Sequence, residues 1–496
     1  MKTIITAVMC LAGFAACGGN ASWEITLSGT QAYISDGDWT FKAGLDNNRL
    51  RDVGGTVRAE GPYALTVGDC TVYPAAVTPL DFSKPLVNST GNGREYAISS
   101  LTFKFGTFSG STLTRVYTAT AAGLVVGKLT LPVADHQFTI SDQAFCGCKH
   151  IDFDLAGLPE GLTSIARNAF SDCDAYGKAD CPNLATLGEY AFMNNEGITD
   201  LIAPALTAFN GYTFTYSGIT NIYLGAESQL KSVGGSAFNC ATNLVSITPF
   251  LPQGCTKIGR SGFEGCVKLA SPLVYYGGTN DRIPTGSNDW GLFFNCQSLP
   301  SVDLSHSTMK FLTRQAFYNC YALEWVRLPE DFESMGAAGN QNEIFVNCTN
   351  LTTVTPFLPD TVTNVCGSAF QDCPRLRGCL TLKNVTHVYG KAAYGAGIDF
   401  VEFGPKLELI DSQAFAICPN LTGVSAPKKL RGVDVGTQVF HSSTNLTGEL
   451  DLRFMTSLPG QFFRYANKVE TLRLGDISSL GQMAFLDMLG LRQIYW

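Results

Sequence analysis

Charged residues make up only 15% of the 496-residue chain, against the roughly 25% of an ordinary soluble domain. There are five histidines, at 136, 150, 306, 387 and 441. None stands in an H-E-x-x-H pair, and no G-x-S-x-G elbow, phosphate-binding loop or G-x-G-x-x-G fingerprint occurs. These absences remove the usual signatures of zinc hydrolases, serine hydrolases and nucleotide enzymes. The net charge of −8 and the lack of any long Lys/Arg run exclude nucleic acid as an expected partner. After residue 16 no apolar run reaches 18 residues, so no helical membrane span is expected. What the chain has instead is glycine, 51 residues, and 45% hydrophobic residues, enough for a core built from short strands and tight turns.

The first 21 residues read as a targeting segment. Lys2 precedes an apolar run from Ile4 to Ala16, the length of a secretory hydrophobic region and too short for a bilayer. Phe14-Ala15-Ala16-Cys17 resembles a bacterial lipobox, which makes Cys17 a lipidation candidate beside plain secretion; the lipobox prefers Leu where Phe14 stands. An extracytoplasmic protein is expected, on a bacterial surface or secreted, with a lipid anchor as its one route to a membrane.

From residue 124 a pattern recurs. FEGCVKL (263–269), FFNCQSL (293–299), FYNCYAL (317–323), FVNCTNL (345–351), FQDCPRL (370–376) and FAICPNL (415–421) share Phe-x-x-Cys-x-x-Leu. Degenerate copies extend it to 15 units, with anchor aromatics from Phe145 to Phe485, Tyr394 among them, about 24 residues apart. After each Leu a strand pattern follows. In LEWVRLP, Leu323, Val326 and Leu328 are expected inward, and Glu324, Trp325 and Arg327 outward. One such unit cannot bury its own apolar side, whereas stacked units can. A longer repetition overlies the units: NLVSITPFLP (243–252) returns as NLTTVTPFLP (350–359), 107 residues on.

The run A-F-x-x-C-x-x-L, then a strand ending in Pro, then I-G-x-x-A-F, resembles the BspA-like class of leucine-rich repeats, over residues 124–496. The resemblance implies a leucine-rich repeat solenoid of about 15 coils, right-handed and curved, with a short parallel β-strand per coil. It also implies a surface or secreted protein of adhesion; the missing motifs add the expectation of no cofactor, no metal and no catalytic residue. Residues 22–123 lack the repeat but alternate as strands (WEITLSG, DWTFKAG, YALTVGD), and read as a β-rich N-terminal cap or small β-domain.

Eight cysteines, at 148, 173, 266, 296, 320, 348, 373 and 418, share the slot three after the anchor, with Cys240 in a shifted version. Other units place Asn195, Ser443, Ala466 and Met488 there, replacements that a packing role tolerates and a metal or disulfide role does not. Cys173 and Cys181, flanking what reads as an insertion at 174–182, form a disulfide candidate. The outward strand positions supply the candidate partner-binding residues: Tyr223, Glu324, Trp325, Arg327, Phe400, Glu402, Arg473 and Tyr495. The loop at 275–290 is a further candidate. The expected function is that of a monomeric interaction or adhesion solenoid binding a protein or glycan partner. The alternatives are a non-binding spacer in the cell envelope and a carbohydrate-processing accessory with activity in the N-terminal region.

Overall fold

The structure is a computed structural model that describes residues 22–28, 31–38, 40–45, 63–72, 80–81, 86–87, 95–96, 98–103, 129–130, 138–140, 142–147, 153–277, 291–335 and 342–496. The targeting segment with Cys17, and 278–290 of the candidate loop, lie outside the described residues, as do Cys148 and His150. The chain divides into two compact units, residues 1–175 and 176–496.

The first unit contains a seven-stranded mixed sheet. Trp23–Ser28, Gln31–Ser35, Thr40–Leu45 and Tyr63–Val72 follow one another antiparallel. Ile98–Phe103 joins Tyr63–Val72 in parallel. Alternation along the strands sets the buried face: Ile25, Ile34 and Phe41 stand opposite one another on three neighbouring strands, and all three are buried. Ile98–Phe103 also lies against Phe138–Ile140, the first strand of the repeat region. Phe138–Ile140 runs parallel to Leu162–Ile165, and the anchor rings of Phe145 and Phe170 stack at 5.1 Å.

The second unit is a parallel β-solenoid with two short strands in most coils. The first strands assemble into four parallel sheets: Gly177–Asp180 to Ser246–Thr248, Leu273–Val274 to Thr353–Thr355, Cys379–Leu382 to Gly423–Ser425, and Thr447–Asp451 to Gln493–Tyr495. The second strands are mostly two residues long and form their own rows, among them Asn364–Val365, His387–Val388, Leu409–Ile410 and Asp434–Val435.

Between second strand and first strand comes the turn that holds the anchor. Its alternate N–H groups donate to the next coil: Gln315 N to Asn342 O at 2.7 Å, Phe317 N to Ile344 O at 3.0 Å, Asn319 N to Val346 O at 2.8 Å. The residues two before and two after the anchor take positive φ, as at Gln315 (55°) and Asn319 (59°). Polar side chains at these places ladder from coil to coil, Asn347 to Asn319 to Asn295 at 2.8 Å each and Gln413 to Gln438 to Gln461 at 2.8 and 2.9 Å. The glycine of the I-G signature is explained by close approach: a Cβ on Gly259 would lie 2.3 Å from the amide nitrogen of Gly235 one coil away.

The core is a column of parallel rings. Phe214, Phe238, Phe263, Phe293, Phe317, Phe345 and Phe370 stack at 5.2–5.8 Å, with interplanar angles of 4–8°. The duplicated TPFLP segments set Phe250 edge-on to Phe263 and Phe357 edge-on to Phe370.

Three expectations change. The anchor of the eleventh unit is Ala393, not Tyr394. Lys391 and Gly395 carry the positive φ angles two positions either side of Ala393, and Ala393 is fully buried while Tyr394 is not. The ring column breaks at this small residue, and Phe403 packs edge-on against Phe415 beyond it. Cys240 occupies the left-handed place after its anchor, and Ala241 fills the buried slot instead. Residues 174–182 are not an inserted loop, because Gly177–Asp180 is a first strand paired with Ile198–Ile202.

Candidate functional site

The slot cysteines are explained by the backbone beside them. Cys266, Cys296, Cys320, Cys348 and Cys373 each point a thiol at the carbonyl of the preceding anchor phenylalanine, at 3.0–3.2 Å. Cys418 does the same to Ala393 O at 3.1 Å, and Ser443 to Phe415 O at 2.8 Å. Burial pushes the Cys320 and Cys418 thiols well above the ordinary range, so they stay protonated and non-nucleophilic. Cys173 and Cys181 are buried, and that burial pushes each thiol up to about 12. Among the described residues no group of His, Cys, Asp and Glu is placed to hold a metal ion.

The outward strand face carries the candidate partner-binding residues. In Trp325–Arg327, Val326 is buried and its two neighbours are exposed. Leu323 and Leu328 are buried and Glu324 is exposed, in accord with the alternation. Register puts Trp325 between Ser301 and Thr353, and Arg327 between Asp303 and Thr355. Arg327 donates to Asp303 at 3.2 Å, and its guanidinium lies 5.7 Å from the Trp325 ring.

Sequence alternation marks Asp303 as outward, yet it is only 7% exposed. Burial would raise its pKa, but hydrogen bonds from Ser305 Oγ (2.6 Å) and Ser305 N (2.9 Å), with the charges of Arg327 and His306, outweigh it and hold the carboxyl below its usual value. One coil earlier, Tyr276 stacks on the exposed His306 at 5.3 Å. The signal for Asp303 was the Asp-x-Ser spacing of a local side-chain turn. Nothing in the sequence signalled the Tyr276–His306 pair, whose members are 30 residues apart.

The other candidates are spread along the row. Tyr223 is exposed beside an Asp200–Asn221–Ser246 hydrogen-bond chain. Phe400 is half-buried, its ring lying over Gly423, where a Cβ would come within 2.8 Å of it. Exposed Glu402 accepts from Thr381 at 3.4 Å. Arg473 pairs with Glu449, and its guanidinium lies 4.7 Å from the exposed Tyr495 ring.

The structure therefore brings together Trp325 with Arg327, and Arg473 with Tyr495, but not the full set. Tyr223 and Trp325 are four coils apart and Trp325 and Phe400 three, about 19 and 14 Å at 4.8 Å per strand. Small polar side chains stand between them, Thr353 and Thr355 among these.

Residues 131–271, 289–398 and 386–496 match the BspA type leucine-rich repeat region, in six copies. Among solved structures, a leucine-rich repeat protein from Bacteroides ovatus is 17% identical, over 88% of this chain and 97% of that one, with a TM-score of 0.48. A leucine-rich cell surface protein from Faecalibacterium prausnitzii is 15% identical, over 82% and 95%, with a TM-score of 0.35. The pneumococcal vaccine antigen PcpA is 14% identical, over 92% and 94%, with a TM-score of 0.34. No curated protein matches the chain.

Proposed function

The chain belongs to the BspA-type leucine-rich repeat family, and on that premise we propose that it is a surface or secreted solenoid that holds a protein or glycan partner against its first-strand face. Solenoids of this family suggest a role in protein interaction or adhesion and are typically not enzymes. The observation that carries the finer reading is the Trp325–Arg327 pair. Arg327 is tied to the buried Asp303, and Asp303 is tied to Ser305, so the exposed indole sits against a cation with little freedom left to lose. A stiff aromatic beside an arginine is the composition of an interface anchor.

The test uses the full chain against immobilised extracellular-matrix proteins and a glycan array. Trp325→Ala and Arg327→Ala are each expected to weaken the ligand found by about tenfold or more, with an unchanged unfolding midpoint. Binding untouched by both substitutions would refute the assignment of this face. A spacer role is favoured by a different observation. Some outward charges are already paired between coils, as in Arg473–Glu449 and Arg377–Asp399, and the candidate aromatics do not form one patch. Failure of the whole panel to bind supports that reading. The 22–123 region is proposed to serve as the cap of the repeat, because solenoid ends need covering and Ile98–Phe103 lies against the first repeat strand. We place the protein outside the cytoplasm, on the targeting segment and the family together.

A further inference from the structure

Four consecutive coils carry a basic residue in the turn that follows the first strand: Lys383, Lys406, the pair Lys428 and Lys429, and Arg453. The outer two are neutralised, Lys383 by Asp360 and Arg453 by Asp451 at 2.5 Å. Lys406, Lys428 and Lys429 are exposed and have no ion pair among the described residues. Arg431 joins them: its guanidinium donates to the carbonyls of Lys428 (2.8 Å) and Leu430 (2.6 Å), and no carboxylate. Buried Leu407 and Leu430 fix both turns to the core. The acidic residues of these two coils are Asp399 and Glu402 at the first strand, and Glu408, Asp411 and Asp434 at the second strands; Asp399 pairs with Arg377 and Glu408 lies by His387. Four unpaired cations thus stand on two neighbouring coils of a protein whose net charge is −8.

Like charges held this close repel one another, a cost that an anionic ligand removes. We propose that this row binds a linear acidic polysaccharide, whose carboxylate or sulfate groups repeat along the chain as the cations repeat along the solenoid, about 4.8 Å per coil. The Ser425 hydroxyl and the Phe400 ring, on the adjoining strands, offer a hydrogen bond and a flat apolar surface of the kind sugars use, while the Thr381 hydroxyl is already given to Glu402. A membrane surface fits less well. Stable interfacial binding needs apolar groups to insert beside the charges, and the one exposed large apolar side chain among the described residues between 326 and 479 is Ile417, in an anchor turn. Its cations stand in the turns after the first strands, three or more coils from Trp325, and their binding does not depend on that residue.

The experiment applies the full chain to immobilised heparin, to polygalacturonate and to phosphatidylserine vesicles over a salt series. Retention on at least one polymer, lost as salt rises, is expected. Lys406→Glu with Lys429→Glu should weaken it about tenfold or more. The control pair Lys231→Glu with Lys257→Glu, exposed lysines elsewhere on the solenoid, changes net charge equally and should leave it within about twofold. Trp325→Ala should not affect it, so that loss here and loss at the strand face are told apart. No retention on either polymer, equal loss in both double variants, or binding to the vesicles alone would each overturn the proposal.

Discussion

Cys320 offers the sharpest test of whether the cysteine ladder is packing. The side chain is fully buried, and its sulfur lies 3.2 Å from Phe293 O. That carbonyl also accepts from Cys296 N at 3.1 Å. Cys320→Ala therefore leaves no orphaned acceptor. It removes one buried sulfur, leaves a small void and deletes a weak S–H donor. Transfer and cavity contributions together come to about 1–2 kcal/mol, with less than about 1 kcal/mol from the hydrogen bond. Cys320→Ser keeps a donor. Ser443 shows that a hydroxyl reaches the equivalent carbonyl, at 2.8 Å. Desolvating the hydroxyl costs about 1–3 kcal/mol and the bond it makes returns about 1 kcal/mol, so the net loss is again about 1 kcal/mol. Urea unfolding at constant m-value measures both, and ligand binding by the intact variants measures function. A loss above about 4 kcal/mol for either variant, beyond what a thiol's volume explains, would refute the argument. So would abolished binding with unchanged stability, which would mean chemistry rather than packing.

Three further outcomes follow from the same geometry. Phe317→Ala removes a ring stacked on Phe293 and Phe345 at 5.8 and 5.5 Å, and should cost about 3–5 kcal/mol, read by urea unfolding, with hydrogen exchange rising first in the coils around residue 317. Asp303 has its folded pKa below its unfolded one, so the stability it contributes is present above about pH 4 and is lost as pH falls through the folded value; acid titration of the midpoint should show a smaller decline in Asp303→Asn. Under native conditions Cys379, the exposed cysteine among those described, should react with a thiol reagent ahead of the buried ones such as Cys320, whose burial keeps them protonated. Loss of one fast equivalent in Cys379→Ala checks this.

Much of the fold can be read from local pattern. Phe-x-x-Cys-x-x-Leu fixes which side chains face the core, and two-residue alternation fixes Val326 in and Trp325 and Arg327 out. The readings that failed did so where the repeat loses its marker. The aromatic of AAYGAG suggests Tyr394 as anchor, but the backbone turn, with Lys391 and Gly395 at positive φ, selects Ala393. Asp303 follows the outward alternation and is still covered, because Ser305 and Arg327 from its own and the next coil close over it.

By itself the sequence determined the repeat, its period and the inward set, because these depend on neighbours within one unit. Only the tertiary structure decided what lies beside what along the solenoid axis. The Arg327–Asp303 tie, the thiols on preceding carbonyls and the lysines of successive turns all join residues more than 20 positions apart. Their meeting depends on coil register, which insertions of a few residues shift and which stacking, not local pattern, sets.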